Sequence, residues 1–192
     1  MYSKLSNFLK NYEKKKPLNP FAHTSPQQAA VLVLLGKQAG EEAILLTKRS
    51  EGVEHHKGQV CFPGGVHDRL DETLWHTALR ETKEELGVTP SSIGFLGELG
   101  NIFTPSGFEV HPFVGFAREE YRLNPNSGEI DEAFTVPLSH LMDEKNRHFV
   151  TRNYNGQEYQ DTVFIYNSHQ IWGATGRIIT EFLEIWSACV GF

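Results

Sequence analysis

The stretch from Phe62 to Val88, FPGGVHDRLDETLWHTALRETKEELGV, constrains this chain more than any other. It opens on a two-glycine turn, runs through about four helical turns and ends in Arg80-Glu81-Thr82-Lys83-Glu84-Glu85-Leu86-Gly87. Glu81, Glu84 and Glu85 stand at i, i+3 and i+4, which places them within about 100° of arc on a helix. Beside them runs a stripe of Trp75, Ala78, Leu79, Thr82 and Leu86. A helix of this kind must bury its stripe against another layer, and its carboxylates then converge along the edge of the buried face.

The rest of the chain supplies that layer. Ala29 to Leu35 and Ala43 to Thr47 are short apolar runs flanking a Gly36-to-Gly40 turn, which predicts two buried strands. Arg49 to Lys57 is polar, carries His55 and His56, and reads as an exposed loop; Gln59 to Phe62 is a short strand leading into Gly64-Gly65. The helix is expected to start near Asp71 or Glu72, with Asp68 or Asp71 as its cap, and to stop at Gly87 and Pro90. Ile93 to Leu99, Val110 to Ala117 and Ala133 to Val136 are further strand candidates. Arg147 to Tyr154 and Glu158 to Tyr166 flank Asn155-Gly156, a pair that tolerates positive φ and so predicts a hairpin. Apolar residues at 171, 172, 178, 179, 182, 183 and 186 predict a terminal amphipathic helix, its stripe serving as core or as a dimer face. The N-terminal segment 1–24 reads as a surface helix followed by an extended lead-in, and 25–192 as one domain. The sum is an α/β fold with a mixed sheet between helical layers.

Composition narrows the function classes. A net charge of −6 argues against a general nucleic-acid binder, which needs a basic face to displace counterions. No apolar run approaches the roughly 18 residues that span a bilayer, and the basic start MYSKLSNFLKNYEKKK lacks the apolar core of a secretion signal. Cys61 and Cys189, far apart, make no disulfide framework, so a reducing cytoplasm is the expected setting. Cys61 reads as a small buried residue rather than a nucleophile.

Three carboxylates brought together repel one another, and without a cation their titration is pushed up. Oxygen ligands suit Mg²⁺ or Mn²⁺, hard cations that bind a few carboxylates together with substrate phosphates. Gly64 and Gly65 let the backbone come close to the same place, so a carbonyl there can join the ligands, and Arg80 can pair with Glu84 one turn on. On its own the hexapeptide RETKEE also fits a solvated, salt-bridged face. The conjunction of glycine turn, helix and clustered glutamates is what points to a metal site.

With those residues in place the stretch resembles the Nudix box: Gly, five residues, Glu, seven residues, Arg-Glu, an apolar residue, any residue, Glu-Glu, any residue, Gly, an apolar residue. Arg80, Glu81, Glu84, Glu85, Gly87 and Val88 match, and Glu72 falls where the first glutamate belongs. Gly65 comes one residue early, with Val66 at the nominal glycine, which implies an insertion after the turn; Thr82 replaces an apolar residue. Leu45-Leu46-Thr47, Arg49-Ser50, Gly58 and Phe62-Pro63-Gly64-Gly65 resemble the extended motif of the coenzyme A pyrophosphatase branch, as do Val136-Pro137-Leu138 and Ile171 to Thr175 further on. The branch carries an arginine where this chain has Glu54, leaving Lys57, Lys48 or Arg49 to meet the 3′-phosphate of coenzyme A.

The resemblance implies a Nudix-type α/β/α sandwich that hydrolyses a nucleoside diphosphate linked to another group, a small-molecule substrate. It implies metal ligands at Gly65, Glu81, Glu84 and Glu85, catalytic roles for Arg80 and for Glu129 or Glu84 as base, and substrate contacts at Arg49, Lys57, Phe62 and Gly64. Glu129 also fits one solvated acid among Asp131 and Glu132. Phe103, Phe108 and Tyr166 can stack on a base, although aromatics at strand spacing more often belong to the core. His55 and His56 can touch phosphate or simply face water.

Overall fold

The computed structural model describes residues 1–14, 25–52, 57–154 and 156–190. Glu54, His55 and His56, expected in an exposed loop that could meet phosphate, lie outside them. Helix α1 (Tyr2–Asn11) leads to strands β1 (Gln27–Gln38), β2 (Glu41–Arg49), β3 (Val60–Cys61) and β4 (Gly64–Val66), then to helix α2 (Leu74–Leu86). After it come β5 (Ile93–Glu98), β6 (Ile102–Phe103), β7 (Phe108–Ala117), β8 (Ile130–Pro137) and helix α3 (Leu138–Met142). The chain closes with β9 (Arg147–Tyr154), β10 (Gln157–Tyr166), β11 (His169–Ile171) and helix α4 (Gly173–Val190).

Eight strands form a mixed sheet along the path β3-β2-β1-β7-β5, with β4 and β6 pairing to β1 and β7 and β8 to β2. The β1–β7 pair is parallel and the others are antiparallel. A second, three-stranded sheet runs β11-β10-β9. The hairpin β1–β2 turns at Ala39 and Gly40, both at positive φ.

Alternation along β1 divides the molecule into layers. Ala30, Leu32 and Leu34 meet Ala78, Leu79 and Leu86 of α2, with Leu45 and Phe113 filling the same layer. Val33 and Leu35 face the other way, into a larger core with Leu5 and Leu9 of α1 and Ile178, Ile179, Phe182 and Trp186 of α4. From Ile178 on, the apolar stripe of α4 is therefore spent on the core; the expected start at Ile171 and Trp172 is corrected, because Ile171 ends β11 and Trp172 is 37% exposed ahead of the helix. Phe108 and Tyr166 also pack against this core, as aromatics at strand spacing should. Among the described residues no helix is long and apolar enough to cross a membrane.

Two more local expectations are corrected. Gly64 and Gly65 are not a turn but the start of β4, extended against Ala30 and Val31 of β1. Gly64 has φ +153, and a Cβ there would lie 2.2 Å from the Ala30 carbonyl oxygen; only glycine lets the two strands approach so closely. The helix starts at Leu74 rather than near Asp71, because Thr73 caps it by accepting the His76 N–H on its hydroxyl, while Asp68 and Asp71 are turned to other partners. At the far end Gly87, φ +72, closes the helix as expected.

Candidate active site

Helix α2 lies against β1 and β4 through its stripe, and this sets the height of each glutamate. Thr82, fully buried, donates its hydroxyl to the Ala78 carbonyl at 2.7 Å, so the polar atom in the stripe is satisfied within the helix. Glu85 falls on the buried edge, with its side chain 2% exposed; Glu81 is 17% exposed and Glu84 57%. The three carboxylates thus form a gradient from the interior to water.

The strand start β4 forms the floor. The Gly64 N–H donates to Glu85 Oε2 at 3.2 Å. A Cβ on Gly65 would lie 2.5 Å from the Glu81 carboxyl carbon, so glycine is what allows this carboxylate to rest on the backbone. Arg49, from the end of β2, brings its guanidinium within 3.6 Å of Glu85, and its Nε is buried with no hydrogen-bond partner among the described residues. Burial pushes the Glu85 carboxyl up to about 8 despite the Gly64 N–H and Arg49, with the Glu81 and Glu129 charges adding to the rise. Burial likewise raises Glu81, against the pull of Arg80.

Arg80 is the hub of the outer half. It donates to Glu81 at 2.7 Å, to Glu84 at 3.0 Å and to the Val66 carbonyl at 3.1 Å. Its other donors, Nε and one terminal nitrogen, clasp both oxygens of Asp71 at 2.9 and 3.0 Å. Asp71 is 6% exposed and also accepts from Thr77 and from the Asp68 N–H. The Arg80 hydrogen bonds hold its carboxyl far below the usual carboxylate range.

This pair corrects the sequence alignment. Glu72, expected as the first glutamate of the motif, is 85% exposed and, among the described residues, pairs with His76 at 4.0 Å. Counting from Gly65 as found, five residues lead to Asp71, so the extra residue lies between Asp71 and Arg80 and not directly after the glycine. The signal was legible as Gly-x5-Asp, but a search for glutamate passes over it.

Glu129 stands just before β8, where its carbonyl accepts the Ser50 N–H at 2.8 Å and its carboxylate faces the Asn126 amide at 3.4 Å. The preceding loop caps the end of α2, since the Asn124 and Asn126 N–H groups donate to the Leu86 and Glu85 carbonyls. The loop bearing Glu129 and the helix bearing Glu85 are thereby tied together. Lys57 is exposed beside Gly58. Phe62, 2% exposed, places its ring in the α4-side core and anchors the strand without facing the carboxylates. Cys61 is a free thiol pushed up to about 11 by burial, which suits packing rather than nucleophilic attack.

The donors suit a hard divalent cation: carboxylate oxygens of Glu81, Glu84 and Glu85 beside a side-chain-free backbone at Gly65, with two of the acids raised by burial for want of compensating charge. Among the described residues no three acidic, imidazole or thiol groups are already gathered as a cage. Glu81 and Glu84 are instead spread on Arg80, and exposed Glu84 has room to turn.

The NUDIX domain family matches residues 26–154 of the chain. The chain belongs to the Nudix family. A Nudix hydrolase, NudL, of Photorhabdus laumondii, named as uncharacterized, is 32% identical over 180 residues, 94% of this chain and 96% of that protein. The human mitochondrial coenzyme A diphosphatase NUDT8 is 40% identical over 162 residues, 82% of this chain and 68% of that protein. Among solved structures, a MutT/nudix family protein from Enterococcus faecalis superposes with a TM-score of 0.51 at 21% identity, covering 96% of this chain and 69% of that one. The Nudix hydrolase RenU from M. Smegmatis also gives 0.51, at 23% identity, over 62% of this chain and 75% of that one. These two likenesses establish the Nudix fold, and the family makes the chain a Nudix pyrophosphatase acting on small-molecule nucleotides. Nudix hydrolases generally work with divalent metal ions.

Proposed function

We propose that this Nudix pyrophosphatase hydrolyses the diphosphate bond of coenzyme A or its derivatives, giving 4′-phosphopantetheine and adenosine 3′,5′-bisphosphate. The observation that carries the reading is the 40% identity to human coenzyme A diphosphatase NUDT8 across 82% of the chain. The upstream run from Leu45 through Gly65 supports it, since it delivers both Arg49 and the Gly64-Gly65 floor to the carboxylates.

Mg²⁺ or Mn²⁺ is the proposed cofactor, with Glu81, Glu84, Glu85 and the Gly65 carbonyl as the groups to hold it. When bound, such an ion neutralises diphosphate oxygens and acidifies a water. Arg80, itself fixed by Asp71, orients Glu81 and Glu84. Arg49, with its side chain 25% exposed, offers its guanidinium charge to a phosphate oxygen. Glu129, or else Glu84, takes the proton from the attacking water. Lys57 is a further cation for the substrate's outer phosphate. Two free thiols, Cys61 and Cys189, fit a reducing compartment, and the cytoplasm is the proposed location.

A second reading, a Nudix pyrophosphatase for another nucleoside diphosphate derivative such as ADP-ribose, a dinucleotide or a nucleotide sugar, is favoured by Glu54, an acid where the branch motif has a base. Incubation with coenzyme A and a nucleotide panel in Mg²⁺ or Mn²⁺, with products identified by mass spectrometry, separates the two. Rapid cleavage of another nucleotide with coenzyme A left intact would decide for the second.

A further inference from the structure

Strand β2 has two faces. Leu45 and Arg49 look toward α2 and the carboxylates, whereas Leu46 and Lys48 look toward the side of α4. On that side Lys48, Gly58, Gln59, Gln170 and Trp172 line a recess of about 480 Å³, a size within the range of roughly 300–1,000 Å³ for small-molecule sites. None of the diphosphate chemistry above uses it.

Its lining has a distinct chemical character. The Lys48 ammonium shares the recess with the Glu132 carboxylate, so the wall carries no surplus charge. Glu132 is also paired with His169 at 3.3 Å, and the His169 ring is stacked on Phe134 with centroids 4.3 Å apart, which makes this side a fixed wall. Gln59, Gln170 and Ser168 each bring donors and acceptors together. Trp172, 37% exposed, carries the Arg152 guanidinium over its ring at 4.7 Å and adds an aromatic surface. Groups that donate and accept in equal measure, without net charge, complement amides and disfavour a phosphate, which calls for excess cations.

The recess is next to the active site through the backbone. Arg49, whose side chain reaches Glu85, exchanges main-chain hydrogen bonds with the recess wall: its N–H donates to the Gln59 carbonyl at 3.0 Å, and its carbonyl accepts the Gly58 N–H at 3.2 Å. Gly58, at φ +64, puts no side chain on the sill, and a Cβ there would lie 2.5 Å from the Glu51 carboxylate. We propose that the recess is a subsite for an uncharged, amide-bearing arm of the substrate, with Gln170 pairing with its amides and Trp172 covering its apolar carbons. The assignment rests on the coenzyme A reading, whose pantetheine arm has this chemistry.

The test follows pantetheine binding to the full chain by ¹H–¹⁵N NMR, alongside coenzyme A turnover in Mg²⁺. Shifts should concentrate at the Gly58 amide and the Trp172 indole N–H. Gln170→Leu and Trp172→Ala alter exposed side chains, and each should raise KM for coenzyme A about tenfold, more than it lowers kcat. Pantetheine shifts elsewhere, or a parental KM in both variants, overturn the subsite. If coenzyme A is not cleaved but pantetheine still shifts Gly58 and Trp172, the substrate assignment falls and the subsite stands.

Discussion

Replacing Asp71 by Asn tests how the outer half of the site is built. The change keeps size and removes one charge. Two donors of Arg80 land on the two oxygens of Asp71, at 2.9 and 3.0 Å; an amide offers one oxygen, so one donor must face an NH₂ group. A hydrogen bond to a charged group is worth about 1.5–3 kcal/mol net. Asp71 is 6% exposed and Arg80 30%, so water compensates only in part, and a loss of about 2 kcal/mol is expected. For a domain of this size that lowers Tm by roughly 4–8 °C. Because Arg80 also holds Glu81 and Glu84, turnover should fall about 10–100-fold, as when the partners behind metal-binding side chains are removed. Glu72→Gln is the control: an exposed residue with one long contact to His76 should leave both quantities near parental values. Calorimetry and coenzyme A turnover read the two effects. A stable, active Asp71→Asn protein beside an impaired Glu72→Gln protein would refute the assignment of Asp71 as Arg80's anchor.

Three further outcomes are expected. Because the folded-state titration of Glu85 is raised to about 8, the folded chain binds more protons than the unfolded chain between about pH 4.5 and 8, so metal-free stability should fall as pH rises through this window. Mg²⁺ should therefore raise Tm more at pH 8 than at pH 5.5, where its ligands hold protons; equal gains at both would count against the ligand set. Glu54→Arg should favour coenzyme A over its dephospho form if the acid opposes the 3′-phosphate. An unchanged preference in paired kcat/KM measurements would show that this position does not sense the phosphate.

The periodic elements were legible because burial enforces periodicity. The β1–β2 hairpin and the stripe of α2 lie where their apolar spacing put them, and so does the stripe of α4 from Ile178 on, although Ile171 and Trp172 precede that helix. The short elements were not. β6, α3 and β11 have 2, 5 and 3 residues, too few to show a period, and they exist because long neighbours hold them. Gly64-Gly65 misled for a physical reason: glycine marks both turns and close backbone approach, and here the approach of β4 to β1 is what requires it. The glutamates of the site could be named from i, i+3, i+4 spacing, but their unequal burial could not, because it depends on how α2 rolls against β1 and β4. Asp68 and Asp71 both suit a cap, since a side-chain oxygen just before a helix can accept from its first amides; the fold shows instead Arg80 reaching back nine residues to Asp71.

On the function proposed above, the glutamates of α2 serve cleavage of coenzyme A. The most direct measurement is coenzyme A turnover by the parent, Glu84→Gln and Glu85→Gln proteins in Mg²⁺ or Mn²⁺, with products counted by mass spectrometry and the fold checked by circular dichroism. Equal amounts of 4′-phosphopantetheine and adenosine 3′,5′-bisphosphate are expected from the parent, and at least about a hundredfold slower release from each folded variant. Near-parental turnover in both variants, or a parent that leaves coenzyme A intact, would contradict that reading.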